Sequence, residues 1–403
     1  MGVCLYRYRI IPAHIYISLC VLSWGILASL QSVSISFTSL LILRFLLGVS
    51  EAAFGPGVPY YLSFFYRRDE LAFRTGLFIS AAPLASSFTS SLAWLITEFA
   101  EGGPIAPWRL LFLAEGFPSV VAAIVAWECV PDGLDTAMFL NHREREVAML
   151  RVQEQNEDAD EKGAKHENKY SDNYRRGKLI WREIGSALAD PKTYTTAVMF
   201  FSANVAFSSM PVFLPTIIRE MGHTTFASQA LSAPPYLLSF VTVLLTAHLS
   251  DKHRLRSPYI LLHSLLAASG YLLIALAGHF HWAPTLRYIG VYPACVGFFS
   301  VITLIITWTL NNQQGESAKG TGMVILGLIG RCGPLLGIRL YPKAEGPEYV
   351  KGMSICAVFM AGVGILAVCL ALALRSSNLR AQKQWAQDGG QQSGRRQPFT
   401  FIL

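Results

Sequence analysis

Two charged residues stand in a segment that is otherwise apolar. In "LILRFLLGVSEAAFGPG", residues 41–57, Arg44 and Glu51 lie seven positions apart. On a helix they project from nearly one face, about 10 Å apart along the axis. A guanidinium is a planar fork that grips a carboxylate through two parallel hydrogen bonds. A carboxyl withdrawn from water has its pKa raised, and a nearby cation lowers it again, which suits a proton carrier. The pair therefore has two readings. Arg44 binds an anion or holds a partner acid while Glu51 carries a proton, or both residues are tethers to neighbouring helices.

The segments around them must be membrane helices. Of 403 residues, 52% are hydrophobic and 15% charged, and mean hydropathy is +0.39. Soluble domains carry about 25% charged residues. The apolar residues come in blocks of about 20, the length a helix needs to cross a bilayer core. Such blocks predict ten spans, near 11–31, 38–60, 76–97, 110–130, 195–217, 230–249, 258–278, 286–308, 320–340 and 353–374. Pro and Gly interrupt several, as in "SAPPYLLSF" and "GLIGRCGPLLG". Membrane helices tolerate such breaks where neighbours satisfy the freed backbone groups. An ionised side chain at mid-bilayer costs roughly 2.5–3.5 kcal/mol. Two on one face call for a polar, water-reachable surface.

The loops predict orientation. With the N-terminus inside, the short inner segments and the tail hold 14 Lys and Arg, against five in the outer segments. This bias predicts that both termini are cytoplasmic. It also accounts for the net charge of +7, so that charge is no sign of nucleic-acid binding. Residues 131–194, with 11 Lys/Arg and 13 Asp/Glu, read as a cytoplasmic linker, mostly disordered or surface-helical. Within it, "FLNHREREVAMLRVQEQ" is either an amphipathic helix on the membrane surface or a plain solvated helix. The linker divides a half of four spans, 1–130, from a half of six, 195–375; a disordered cytoplasmic tail, 376–403, follows.

The seven cysteines form no CxxC pair and read as small buried hydrophobes. No nucleophile–base pair, metal cluster or phosphate loop has the spacing its chemistry needs. The expectation is no enzyme, no cofactor and no metal.

The stretches "RFLLGVSEAAFGPGVPYYLSFFYRRDE" with Arg74 after it, "PWRLLFLAEG", "FLPTIIREMG", "APPYLLSFVTVLLTAHLSDKHRLRSPY" and "WTLNNQQGESAKGTG" follow in this order. Over residues 5–375 the chain resembles the major facilitator superfamily, and within it the fungal anion:cation symporters related to allantoate permease. That resemblance implies an all-α polytopic membrane protein of the major facilitator fold, here with about ten helices (4 + 6) about a central cytoplasmic linker. The basic clusters "YRYRIIPAH" and "SDKHRLRSPY" would correspond if the halves are repeats. The chain would then start at the family's third helix, without the first two.

The resemblance also implies roles. Arg44 and Glu51 fall on a helix bordering the central cavity, and "RFLLG" matches a pattern tied to proton coupling. Glu115 in "FLAEG" is a proton relay or fixes helix packing. Arg331 offers a second carboxylate contact or snorkels to an interface. Asn204 lines the cavity or hydrogen-bonds a neighbouring helix. Asp251, Lys252, Arg254 and Arg256 make charge contacts that hold one access state, or simply set topology. Trp308, Asn311 and Asn312 gate or cap a cytoplasmic helix end. Gly55, Pro56 and Gly57 form a close-packing or hinge element.

Together these readings predict a secondary active transporter of a small organic anion, a carboxylate, proton-coupled and working by alternating access. Its partners are that anion, protons and the lipid bilayer, with no nucleic acid. Its place is the plasma membrane, crossed many times. The alternatives are an exporter of a fungal secondary metabolite and a truncated membrane protein that transports nothing.

Overall fold

The computed structural model describes residues 12–100, 103–157, 180–208, 224–342, 348–387 and 399–403, with a few residues between 209 and 223 and between 343 and 347. The first residues of "YRYRIIPAH" and four of the ten residues of "FLPTIIREMG" lie outside the described residues.

Helices form where the apolar blocks predict them. They are α1 Ala13–Leu30, α2 Phe37–Leu62, α3 Leu71–Ala100, α4 Pro107–Cys129, α5 His142–Glu157, α6 Trp181–Ala189, α7 Pro191–Phe207, α8 Thr225–His253, α9 Ser257–His279, α10 Pro284–Asn311, α11 Glu316–Gly330, α12 Gly333–Gly337 and α13 Val350–Gln387. Nine described helical stretches are long and apolar enough to cross a membrane. The expected span near 195–217 begins as α7, whose described length is 17 residues.

One expectation changes. The tail expected to be disordered from residue 376 is helical up to Gln387, because α13 runs on past its apolar part. Helix α5 carries exposed Val147, Met149 and Leu150 among its charges, with no clean apolar face.

The described residues fall into two compact units. Unit 1 draws on Met1–Arg67, Leu92–Ser186 and Gln314–Val324; unit 2 draws on Arg68–Ser91, Ala187–Gln313 and Ile325–Leu403. This division differs from the expected cut at the linker. The first turns of α3 pack on α8, where a Cβ on Gly76 would lie 2.8 Å from that of Ala247. The start of α11 instead belongs with unit 1, where Tyr60 Oη donates to Glu316 O at 3.2 Å.

In unit 1, α1 and α4 cross at small residues. A Cβ on Gly25 would come within 2.8 Å of the Val120 nitrogen, and one on Gly116 within 2.6 Å of the Ser29 nitrogen. Close backbone approach replaces the hydrophobic effect as the attraction between helices in lipid. A capping box starts α2: Ser39 N donates to Ser36 Oγ at 3.2 Å and Ser36 N to Ser39 Oγ at 3.3 Å, serving donors that the first turn leaves free. In unit 2, α10 is the buried centre. Glycines again set its contact with α9: a Cβ on Gly297 would meet His263 O at 2.3 Å. Phe207 of α7 stacks on Phe298 at 4.4 Å, and Tyr271 Oη donates to Ala206 O at 2.8 Å.

Candidate functional site

In unit 1 one intramembrane acid, Glu115, lies near Arg44. Helix α2 exposes Arg44, whose guanidinium lies over the Phe112 ring of α4 at 5.1 Å. Glu115, one turn further along α4, is within electrostatic reach of Arg44. The structure thus joins Arg44 to the acid that the sequence treated separately. Glu51 sits half-buried two turns along α2, ahead of buried Pro56 and Gly57. An apolar cavity of about 550 Å³ opens nearby, lined by Ile96, Phe99, Leu110, Leu113, Phe117 and Pro118. It presents no polar side chain, so it suits hydrocarbon and not a carboxylate.

The other two intramembrane candidates are in unit 2. Asn204 turns back on its own helix, Nδ2 donating to Phe200 O at 2.8 Å, while its Cβ packs where Gly333 leaves room. Arg331 is exposed at the break between α11 and α12.

The "SDKHRLR" loop forms a charge network inside unit 2. Asp251 accepts from the backbone N–H of Ala72 at 3.2 Å and of Phe73 at 2.7 Å. Those donors are among the first four of α3, which have no partner within the helix, and the helix dipole favours an anion there. Asp251 also pairs with Arg256 at 2.5 Å. Arg256 is fully buried, donating to Ser250 Oγ at 2.8 Å and to Arg68 O at 3.2 Å. Burial draws its pKa down and Asp251 opposes the shift. Arg254, in the left-handed region at φ 54°, reaches Asp69 at 2.9 Å. Burial also pulls Arg68 down to about 10, leaving it cationic at neutral pH.

Two further contacts of this kind escaped the sequence reading. Asp132 accepts from His14 N at 3.1 Å, at the start of α1. Glu183 accepts from Ser317 N at 2.9 Å, at the start of α11. With Asp251, three carboxylates distant in sequence serve three helix N-termini. Both new acids follow or precede apolar runs, but no local spacing ties an acid to a helix start more than a hundred residues away.

At the end of α10, Trp308, Asn311 and Asn312 are buried. Trp308 Nε1 and the Asn312 amide engage residue 402. The Asn311 side-chain amide has no hydrogen-bond partner among the described residues.

Comparison with known proteins places this arrangement. The chain is 26% identical over 380 residues to the MFS transporter prlL of Fungal sp. (strain NRRL 50135), covering 93% of this chain and 72% of that protein. It is 28% identical over 352 residues to the high-affinity nicotinic acid transporter of Saccharomyces cerevisiae, covering 87% of this chain and 62% of that one. The chain thus spans less than two thirds of the latter's length. The fold matches that of the proton:xylose symporter XylE of E. coli, with TM-score 0.68 at 12% identity, over 93% of this chain and 82% of XylE. These relatives are transporters and not enzymes. The family model of the Major Facilitator Superfamily covers residues 9–338, and on that match over most of its length this multi-pass membrane protein belongs to the Major Facilitator Superfamily.

Proposed function

We propose that this protein is a secondary active transporter that carries a small organic carboxylate across the membrane by alternating access, in symport with protons. The observation that carries this reading is the fixed cation Arg44 in an apolar span, held against Phe112 and near the acid Glu115. A charge in hydrocarbon is costly and marks an ion or proton pathway by default. A substrate carboxylate that takes over the Arg44 guanidinium releases Glu115 from its cation. Glu115, or Glu51 on the same helix as Arg44, then takes a proton. Anion and proton load together, and the site's net charge stays low enough to cross the bilayer.

Likeness to a nicotinic acid transporter supports a carboxylate, since nicotinic acid bears one beside an aromatic ring. The Asp251 contact to α3 is the latch that holds one access state: a carboxylate on a helix N-terminus can be released and remade without unfolding either partner. The reading puts the protein in the plasma membrane with both termini and the linker in the cytoplasm.

Uptake of a panel of radiolabelled carboxylates, nicotinate included, into cells expressing this chain tests the proposal. Accumulation that rises with an inward proton gradient is the expected result. Transport only out of preloaded vesicles would make the protein an exporter. Uptake indifferent to the proton gradient would remove symport.

A further inference from the structure

We propose that one end of unit 2 is a built receptor for an extended peptide, that its ligand is this chain's own residues 399–403, and that docking restrains the network around Asp251. The sequence there, "FTFIL", lies outside any helix. Phe401 N donates to Asn378 Oδ1 at 2.8 Å while Asn378 Nδ2 donates to Phe401 O at 2.9 Å. The next residue repeats the pattern: Ile402 N donates to Asn312 Oδ1 at 2.9 Å, and Asn312 Nδ2 donates to Ile402 O at 3.0 Å. In a β-strand, the N–H and C=O of successive residues point to opposite edges. Here two asparagines, from α13 and from the end of α10, serve those two edges. The buried Trp308 Nε1 donates to Ile402 O as well, at 2.7 Å.

The aromatic side chains are met by cations. Phe399 lies beneath the Arg68 guanidinium at 4.2 Å, and Phe401 beneath Lys192 Nζ at 4.0 Å. This aromatic–x–aromatic match sets preference, since the asparagines read only main chain. Arg68 also donates to Thr400 O at 3.3 Å, and the backbone N–H of Arg256 donates to Leu403 O.

The segment therefore touches the two arginines of the latch. Arg256 holds Asp251 with its side chain and residue 403 with its backbone. Arg68 gives its carbonyl to Arg256 and its guanidinium to the segment. Withdrawal of the segment removes one hold on Arg68, which also donates to Asn311 O, and one on the start of α9. Five residues form a weak ligand alone, but a short tether raises the effective concentration to about the millimolar range, so docking stays reversible and mostly occupied. The consequence for transport rests on the function proposed above; the docking does not.

Hydrogen exchange by mass spectrometry on the full chain in nanodiscs tests the docking. The amides of Phe401 and Ile402 should exchange at least about tenfold slower than in Asn312→Ala/Asn378→Ala. Ile402→Pro, which removes one donor from within the segment and leaves the helices untouched, should likewise speed exchange at Phe401. Exchange in the unaltered chain as fast as in the free peptide Phe-Thr-Phe-Ile-Leu would overturn the receptor. In uptake assays normalised to expression, Ile402→Pro should raise the initial rate at least about twofold. An unchanged rate despite lost protection would overturn the restraint. Failure of all uptake would sink the transport reading, while the exchange result would still decide docking.

Discussion

At the scale of single residues, the chemistry of this protein is a matter of how few charges are held and by what. Arg44 lies against the Phe112 ring, and the acid Glu115 is near it. Arg44→Lys keeps the charge but loses the planar fork, and should lower carboxylate uptake at least about tenfold through weaker substrate affinity, read from concentration-dependent uptake. Glu51→Gln cannot cycle a proton. It should spare counterflow better than proton-driven accumulation; normal accumulation at every external pH would remove Glu51 from coupling. Asp251 is the counter-charge of a fully buried arginine. Removing one partner of a buried pair costs about 3–5 kcal/mol, so Asp251→Asn should lower thermal stability in detergent markedly, whereas Arg254→Ala, at an exposed pair, should change it by less than about 1 kcal/mol.

At the scale of elements, the helices meet through small residues and begin on borrowed acids. A Cβ at Gly297 would press on the His263 carbonyl, which is backbone and cannot move aside. Gly297→Leu should therefore separate α9 from α10 and reduce folded yield, read by size-exclusion chromatography. The same change at Gly362, where a Cβ meets nothing within 4 Å, should be tolerated. α2 caps itself through Ser36, whereas α1, α3 and α11 take carboxylates from elsewhere in the chain. Local caps form with their helix. Distant caps form only when two segments meet, and they can part again without melting the helix.

At the scale of the whole molecule, the expected orientation rests on the unequal spread of Lys and Arg between alternate loops. Cysteines placed at position 150 in α5 and at position 383 in α13 should react with membrane-impermeant maleimide from the same side of the bilayer, the cytoplasm. Labelling from opposite sides would mean an odd number of spans between them and would remove the predicted topology. The two units share α3 and the α11 segment between them. Neither unit is therefore one continuous half of the chain, and the expected boundary at the linker is not where the contacts divide.

The sequence by itself determined which segments are helices long and apolar enough for a membrane, and which motifs the chain shares with the superfamily. Those properties are local: a block of about twenty apolar residues cannot leave its backbone unpaired in hydrocarbon, so it becomes a helix. The seven-position separation of Arg44 and Glu51 likewise gives their common face without any structure. Only the tertiary structure decided that Arg44 lies within electrostatic reach of Glu115, that Asp251 serves the first turn of α3, and that "FTFIL" is gripped by Asn312 and Asn378. The last of these was expected to be disorder, because polar residues separate it from the last apolar block and no periodicity extends across five residues. Partners such as these are selected by which segments come together in space, and pairing across tens to hundreds of residues leaves no pattern in the order of the chain.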